Sequence, residues 1–426
     1  MESLSLNPWN WSCWLELAEE CTTKQLKIPP WEDFSYQSNS LAQHNANRIM
    51  YDCFLIHLYL EQQQGDLALQ VLQKDVLQVF PTSQVSISQT ALAHYCLRDY
   101  DHAQLAFEIA RDSDPHRLDE VHTYSNILYV KERRAELSHL AHAVSKIDKF
   151  SPESCCVIGN YYSLKGQHER AIVYFQRALR LNNQFLSAWT LMGHEFVELR
   201  NTAAAVQCYR KAVGVNPRDY RAWYGLGQTY EMLHLYQYAL HYYKKAASLK
   251  PSDARMWCAV GNCLGRLGLG KDAMLALERA VSSGDREGIA TRELARLYRD
   301  SGQATKAAEC YHKHLQTLGV KLENPEKLNA VEIDSERAEG LLFLASYHRS
   351  KGSLHDAEEY CNLLADFVGP EGDEARAMLR EIRSLRTGPK DMNWQQNSID
   401  DEDQRLNDRI MSPDMAGQLL DSDEEM

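Results

Sequence analysis

Small and aromatic residues recur along the middle of the chain at one fixed interval. Residues 221–233 read RAWYGLGQTYEML, and 34 positions earlier residues 187–199 read SAWTLMGHEFVEL. Gly159, Gly193, Gly227 and Gly261 keep that 34-residue step, as do Trp189, Trp223 and Trp257. Two alanine series keep it too: Ala171, Ala205, Ala239, Ala273, and Ala178, Ala212, Ala246, Ala280. The spacing predicts two antiparallel helices per unit. The Gly/Ala pair lets their backbones approach closely, while Trp and Tyr/Phe fill the space where the first helix of one unit meets its neighbour. Pro217 and Pro251 fall in the turn leaving the second helix, where a missing N–H and a fixed φ stop it. No unit can bury its apolar face alone, so stacking of neighbours must build the core.

The composite pattern, W-x3-G-x2-Y followed by A-x3-F/Y-x2-A and then Pro, is the tetratricopeptide (TPR) signature. The expected fold is therefore all-α, a right-handed superhelical TPR solenoid. Carried outward, the register starts units near 50, 84, 118, 152, 186, 220, 254 and 288, an array over 50–321. Residues 84–117 hold Ala103, Phe107, Ala110 and Pro115 in register, 118–151 hold Leu137, Ala141 and Val144, and 288–321 hold Ala295, Tyr298 and Gly302. A polar insertion at 322–337 precedes a last unit and capping helix over 338–386. In that helix Ala375, Met378, Leu379, Ile382 and Leu385 share one face. Residues 1–49 are expected to be degenerate, uncapped helices that leave Trp9, Trp11 and Trp14 on an exposed apolar face. From 387 the periodicity ends, and 400–426 carries ten acidic residues against two arginines. Such a tail buries too little apolar area to offset its ordering entropy and is expected to be disordered. Its Ser412-Pro413 is a candidate phosphorylation site. Deletion of 391–426 is expected to leave the melting temperature unchanged.

The charge balance narrows the partners. A net charge of −13 over 426 residues lacks the Lys/Arg excess that phosphate-rich nucleic acid or a membrane surface would select. No run of about 18 apolar residues suggests a membrane helix. The opening MESLSLNPWNWSCW lacks the basic-then-apolar plan of a signal peptide, so an intracellular protein is expected. The eleven cysteines are odd in number and contain no C-x-x-C. They read as buried helix thiols, Cys208, Cys310 and Cys361 among them, rather than disulfides or metal ligands.

Catalytic signatures are missing: H-E-x-x-H, G-x-S-x-G and a Walker lysine do not occur. The GRLGLG stretch at 265–270 follows no strand and reads as a tight turn. His139 with His142, and His312 with His314, lack carboxylate or Cys partners at ligand spacing and read as exposed helix histidines. No catalytic residue, metal or cofactor is expected.

A solenoid binds. Its first helices line the concave surface, with unit positions 2, 5, 9 and 12 facing inward. Over 152–287, position 9 gives Asn160, His194, Gln228 and Asn262, and position 5 gives Cys156, Thr190, Tyr224 and Cys258. Position 12 gives Ser163, Val197, Glu231 and Gly265, while Tyr161 and Glu195 stand at position 10. Amide, aromatic and acid suit an extended peptide whose backbone the amides hold and whose Arg or Lys meets Glu. A groove for acidic C-terminal tails, as in a chaperone or transport adaptor, needs several cations, and position 5 has none. That adaptor remains the alternative function.

Several stretches carry a more specific likeness. CCVIGNYYSLKGQHERA (155–171), AWTLMGHEF (188–196) and RDYRAWYGLGQTYE (218–231) closely resemble the eighth-TPR-subunit family of the anaphase-promoting complex. SNILYV (125–130) and AELSHLAH (135–142) resemble it within degenerate repeats, and the likeness spans about 10–386. It implies a non-catalytic scaffold of a multisubunit ubiquitin ligase in mitosis, in nucleus and cytoplasm, stacked with related TPR subunits. It implies too that the groove receives a co-activator C-box, a segment of Asp-Arg-aromatic-Ile-Pro type. By motif, Asn160 in GNYY would be the contacting amide and Glu195 in GHEF the acid that pairs with the C-box Arg. Tyr161, Tyr224 and Gln228 join them from groove geometry. Family members dimerise through further N-terminal repeats; this chain begins after them, so a homodimer by that route is open but not favoured.

Overall fold

Helix follows helix, and among the described residues there is no strand. The structure, a computed structural model, describes residues 3, 4, 7, 9–23, 28–30, 41–317, 335–365 and 367–386; over 22–23, 41–47 and 385–386 it describes the backbone alone. The chain divides into two units, 1–269 and 270–426.

The first unit opens with α1 (Trp11–Thr23), α2 (Leu41–Glu61) and α3 (Gly65–Val71), the last running through a π turn (Leu72–Val76) into Leu77–Val79. Five pairs follow: α4 (Gln84–Cys96) with α5 (Tyr100–Ser113), α6 (Val121–Val130) with α7 (Arg134–Ile147), α8 (Pro152–Leu164) with α9 (His168–Leu181), α10 (Leu186–Glu198) with α11 (Thr202–Val215), and α12 (Tyr220–Met232) with α13 (Tyr236–Leu249). Helix α14 (Ala254–Arg266) closes the unit.

The spacing has direct physical causes. A Cβ built on Gly159, Gly193 or Gly227 would lie 2.5, 2.6 or 2.5 Å from ring atoms of Phe175, Tyr209 or Tyr243. The second helix of each pair thus lays a ring flat on the backbone of the first, and any side chain there would collide with it. The indole N–H groups of Trp189, Trp223 and Trp257 donate to the carbonyls of Asn183, Pro217 and Pro251 at 3.0, 2.8 and 2.9 Å. Each Trp therefore ties its helix to the preceding loop while remaining half-buried. Asn201 accepts from the Ala204 N–H at the start of α11, and Asp219 and Asp253 accept from Arg221 and Arg255 at the starts of α12 and α14. These bonds satisfy amides that a helix start leaves unpaired.

Between the two helices of a pair the chain turns through one residue in the left-handed region. Arg98, Glu132, Gly166, Arg200 and His234 take that place at successive 34-residue steps, and Gly268, 34 residues further on, has the same conformation after α14. Gln63 precedes Arg98 by 35 instead. A π turn is a one-residue insertion, and the extra residue falls where α3 widens into one. The first pair is accordingly a residue longer than its successors. Helix α2 also runs unbroken across the 49/50 boundary expected from the register, because its apolar stripe starts upstream of the repeat signature.

The amino-terminal aromatics depart from expectation as well. Trp14 is only 1% exposed, packed on Phe54 and Tyr51 with ring centroids 4.9 and 6.1 Å away. Trp11 is half-buried, and Trp9 stays exposed. Helix α2 supplies the cover that the sequence pattern did not reveal.

The second unit holds α15 (Gly270–Ser282), α16 (Ile289–Asp300), α17 (Ala304–Thr317), α18 (Ser335–Ser350), α19 (Leu354–Leu364) and α20 (Pro370–Arg386). Tyr311, Leu315, Leu341, Leu344 and Ala375 share its core. Left-handed Gly302 and Gly352 lie 50 residues apart, so sixteen residues are added to the 34-residue step there. Of the insertion expected over 322–337, residues 322–334 lie outside the described residues, as do the tail from 387 and Ser412-Pro413. Helix α20 buries Ala375, Leu379 and Ile382, with Met378 half-buried; the Leu385 side chain is outside the description. His139, His142 and His312 are exposed. His314 is not: it is 1% exposed, with Nδ1 close under Gly288. No helix among the described residues is long and apolar enough to cross a membrane.

Candidate peptide-binding groove

In the first unit the first helices of the pairs turn one edge toward a groove of about 550 Å³. Ser88, Leu92 and Tyr95 of α4, His122 of α6, Glu153 of α8, Thr190 of α10 and Arg221 of α12 line it. These are unit positions 2, 5, 9 and 12, the edge that a 3.6-residue period presents on one side.

Asn160 and Glu195 stand behind this lining rather than in it. Asn160 is 2% exposed, and its Nδ2 donates to Ser125 Oγ at 2.8 Å and Asn126 Oδ1 at 2.7 Å. Asn126 is hydrogen-bonded in turn to Tyr95 of the lining. Glu195, 4% exposed, accepts from Ser163 Oγ at 2.7 Å through Oε1 and meets His168 Nδ1 at 2.8 Å through Oε2. Ser163 lies one turn along α8 from Asn160, so amide and acid belong to one buried polar seam. Burial raises the Glu195 carboxyl above its ordinary range, and the bonds from Ser163 and His168 pull it back.

The other sequence-derived residues divide. Tyr224 is half-buried, its ring tilted 5.2 Å from that of Tyr243, and Gln228 is exposed on the same helix face. Tyr161 does not face the groove. Its ring is aimed edge-on at His142 of α7, 6.2 Å away, with Lys165 Nζ 4.3 Å above it. A hydrogen bond from Lys165 lowers the Tyr161 hydroxyl pKa.

Of the seven groove-lining residues only Thr190 was singled out from the sequence; Tyr95, His122 and Arg221 are the most closely connected of the others. Arg221 Nη1 donates to Tyr95 Oη at 3.2 Å, its guanidinium lies 5.1 Å above that ring, and its Nε is 3.9 Å from Asp219 Oδ1. Nearby, Lys250 Nζ donates to the Cys96 carbonyl at 2.9 Å, and Arg98 reaches Asp253 at 3.9 Å. The end of α4 is thus tied to the starts of α12 and α14. Curvature brings these residues together across more than a hundred positions, which a 34-residue period does not disclose.

His194, at position 9 of α10, shares a 2.8 Å hydrogen bond with Tyr209 Oη. His194 is itself exposed, so this bond lies at the solvent-facing edge of α10.

In the second unit positions 5, 9 and 12 of α16 are all arginine: Arg292, Arg296 and Arg299. Glu336 answers the first, and Glu339 meets Arg296 Nε at 3.0 Å and Arg299 Nη1 at 2.8 Å. These cations are paired within the chain, unlike the open clamp an acidic tail needs.

Comparison with known proteins gives this groove a context. A family model described as anaphase promoting complex subunit 8 / Cdc23 matches residues 1–91, and two tetratricopeptide-repeat models match 152–185 and 190–254. Anaphase-promoting complex subunit 8 of Arabidopsis thaliana is 48% identical over 392 residues, 91% of this chain and 63% of that protein. Over most of its length the chain is thus similar to a subunit 8 protein of the anaphase-promoting complex. The subunit 8 protein of Dictyostelium discoideum is likewise 48% identical, over 90% of this chain and 61% of its own length. This chain thus spans a little over three-fifths of the subunit 8 proteins it matches. A crystal structure of the APC/C hetero-tetramer Cut9–Hcn1 aligns with a TM-score of 0.61 at 14% identity, covering 89% of this chain and 71% of the other. At that identity it establishes the TPR fold alone.

Proposed function

We propose that this chain is a non-catalytic scaffold subunit of the anaphase-promoting complex ubiquitin ligase. In this reading it packs against other TPR subunits in the nucleus and cytoplasm and holds a co-activator C-box segment in the groove of its first unit. Similarity to subunit 8 proteins over about nine-tenths of the chain supports the assembly role. The peptide role rests on one observation: buried Asn160 lies one turn along α8 from Ser163, which donates to the buried Glu195 carboxylate.

A carboxylate offers about four acceptor sites, and Ser163 and His168 use two of them. An incoming guanidinium can take two in a planar, bidentate pair, displacing the His168 ring, whose side chain is 27% exposed. Asn160, one helical turn from Ser163 on α8, then reaches the peptide backbone in place of Asn126. Because Glu195 is almost fully enclosed, its attraction for that cation is screened far less than at an open surface.

Fluorescence anisotropy with the full chain tests this. A peptide of Asp-Arg-aromatic-Ile-Pro type should bind, the same peptide with Arg→Ala should not, and an acidic C-terminal tail peptide should bind weakly or not at all. Preference for the acidic tail would replace this reading by the chaperone or transport adaptor.

A further inference from the structure

The turn joining α4 to α5 gathers three potential metal ligands from a stretch of nine residues. His94 sits in the last turn of α4, Asp99 caps α5, and His102 lies in the first turn of α5. One donor atom from each of the three falls within 4.8 Å of the others. Asp99 Oδ2 is 2.7 Å from His102 Nδ1 and 3.4 Å from His94 Nδ1. The imidazoles stack with centroids 5.3 Å apart and planes 24° from parallel, presenting both Nδ1 atoms on the same side.

We infer that His94, Asp99 and His102 form a binding site for a divalent first-row transition metal, with zinc as the reference ion. Donors bound to one tetrahedral ion at 2.0–2.2 Å stand about 3.4 Å apart. The His94–Asp99 separation already has that value, and His102 needs to withdraw by well under 1 Å. His102 is free to do so, since its side chain is 68% exposed. His94 supplies an independent observation: its Nδ1 is enclosed and makes no hydrogen bond, an arrangement that an ion would relieve. Two imidazoles with one carboxylate select zinc-like ions over calcium or magnesium, which favour oxygen donors.

The division of labour within Asp99 supports the site. Oδ1 faces the His102 backbone N–H at the helix cap, while Oδ2 alone faces the two rings. A metal can therefore take Oδ2 without undoing the cap. The neighbouring Arg98 extends toward Asp253 instead. A bound ion would pin the outer helix to the inner one beside the point where α4 meets α12 and α14. The sequence reading passed over this set because its ligands straddle a turn instead of sharing a helix face.

Isothermal titration of the untagged full chain with zinc, paired with cobalt absorption spectra, tests the site. Wild type should bind one equivalent tightly, with a cobalt spectrum free of thiolate charge-transfer bands. His102→Ala should weaken that equivalent by more than about tenfold. Asp99→Asn, which keeps a competent helix cap, should weaken it too, with circular dichroism unchanged in both variants. Failure of wild type to take up one equivalent would overturn the inference. So would a titration unaltered by His102→Ala, or thiolate bands that place the ion on cysteine.

Discussion

Replacing Glu195 by lysine is expected to reduce the affinity for an Arg-bearing C-box-type peptide by about thirtyfold or more. Removing one partner from a buried charge pair costs about 2–5 kcal/mol, and each 1.4 kcal/mol is a factor of ten in Kd. Lysine also places a like charge opposite the ligand's arginine. Anisotropy titration reads the effect. Because Glu195 is enclosed, the melting temperature must be measured alongside, and Glu195→Gln provides the gentler test. Glutamine keeps the shape and can still accept from Ser163, yet offers no negative charge, so it should bind several-fold to tens of times more weakly. Wild-type affinity in both variants would remove Glu195 from the binding site.

The second large effect concerns folding. Gly227→Leu is expected to destabilise the chain by about 1–3 kcal/mol or more, the usual range for overpacking. The added Cβ alone would lie 2.5 Å from the Tyr243 ring. That ring cannot swing away cheaply: it is 1% exposed, and its hydroxyl donates to Glu231 Oε2 at 2.7 Å. Gly214→Leu is the control, because nothing lies within 4 Å of a Cβ built there. It should be neutral or mildly stabilising, since leucine is the better helix former. Urea denaturation of the two variants separates a packing requirement from a general intolerance of leucine. Equal stability would mean that the 34-residue glycine series has another cause.

Much of the architecture was legible because each repeat solves the same packing problem. Gly159, Gly193 and Gly227 recur because a ring of the second helix touches the backbone of the first, and such contacts mark the sequence directly. The turn between helices was less legible. Its left-handed residue is glycine at 166 and 268 but Arg98, Glu132, Arg200 and His234 elsewhere, so no residue type announces it. The π turn at Leu72–Val76 was invisible for the same reason: one added residue changes the register without changing composition.

The groove was legible to a lesser depth. Helical periodicity identified the inward edge, and Asn160 and Glu195 do share one seam. What it missed was their enclosure, since Ser125, Asn126, Ser163 and His168 reach them from neighbouring helices. Tyr161 was placed on the groove by its closeness in sequence to Asn160, yet its ring is aimed at His142. Trp14 and His314 were read as exposed because their covering partners lie on segments with a weak or broken repeat. Tyr95 and Arg221 meet only through the curvature of the stacked pairs, a property of many repeats together.

A double-mutant cycle between the protein and its ligand bears most directly on the account. Wild type and Glu195→Gln are each titrated with the C-box-type peptide and with its Arg→Ala form, giving four affinities. A direct buried charge pair predicts a coupling of about 1.5 kcal/mol or more, so the Arg→Ala change should matter strongly in wild type and little in Glu195→Gln. Coupling near zero, with both changes simply additive, would show that the peptide's arginine is recognised elsewhere.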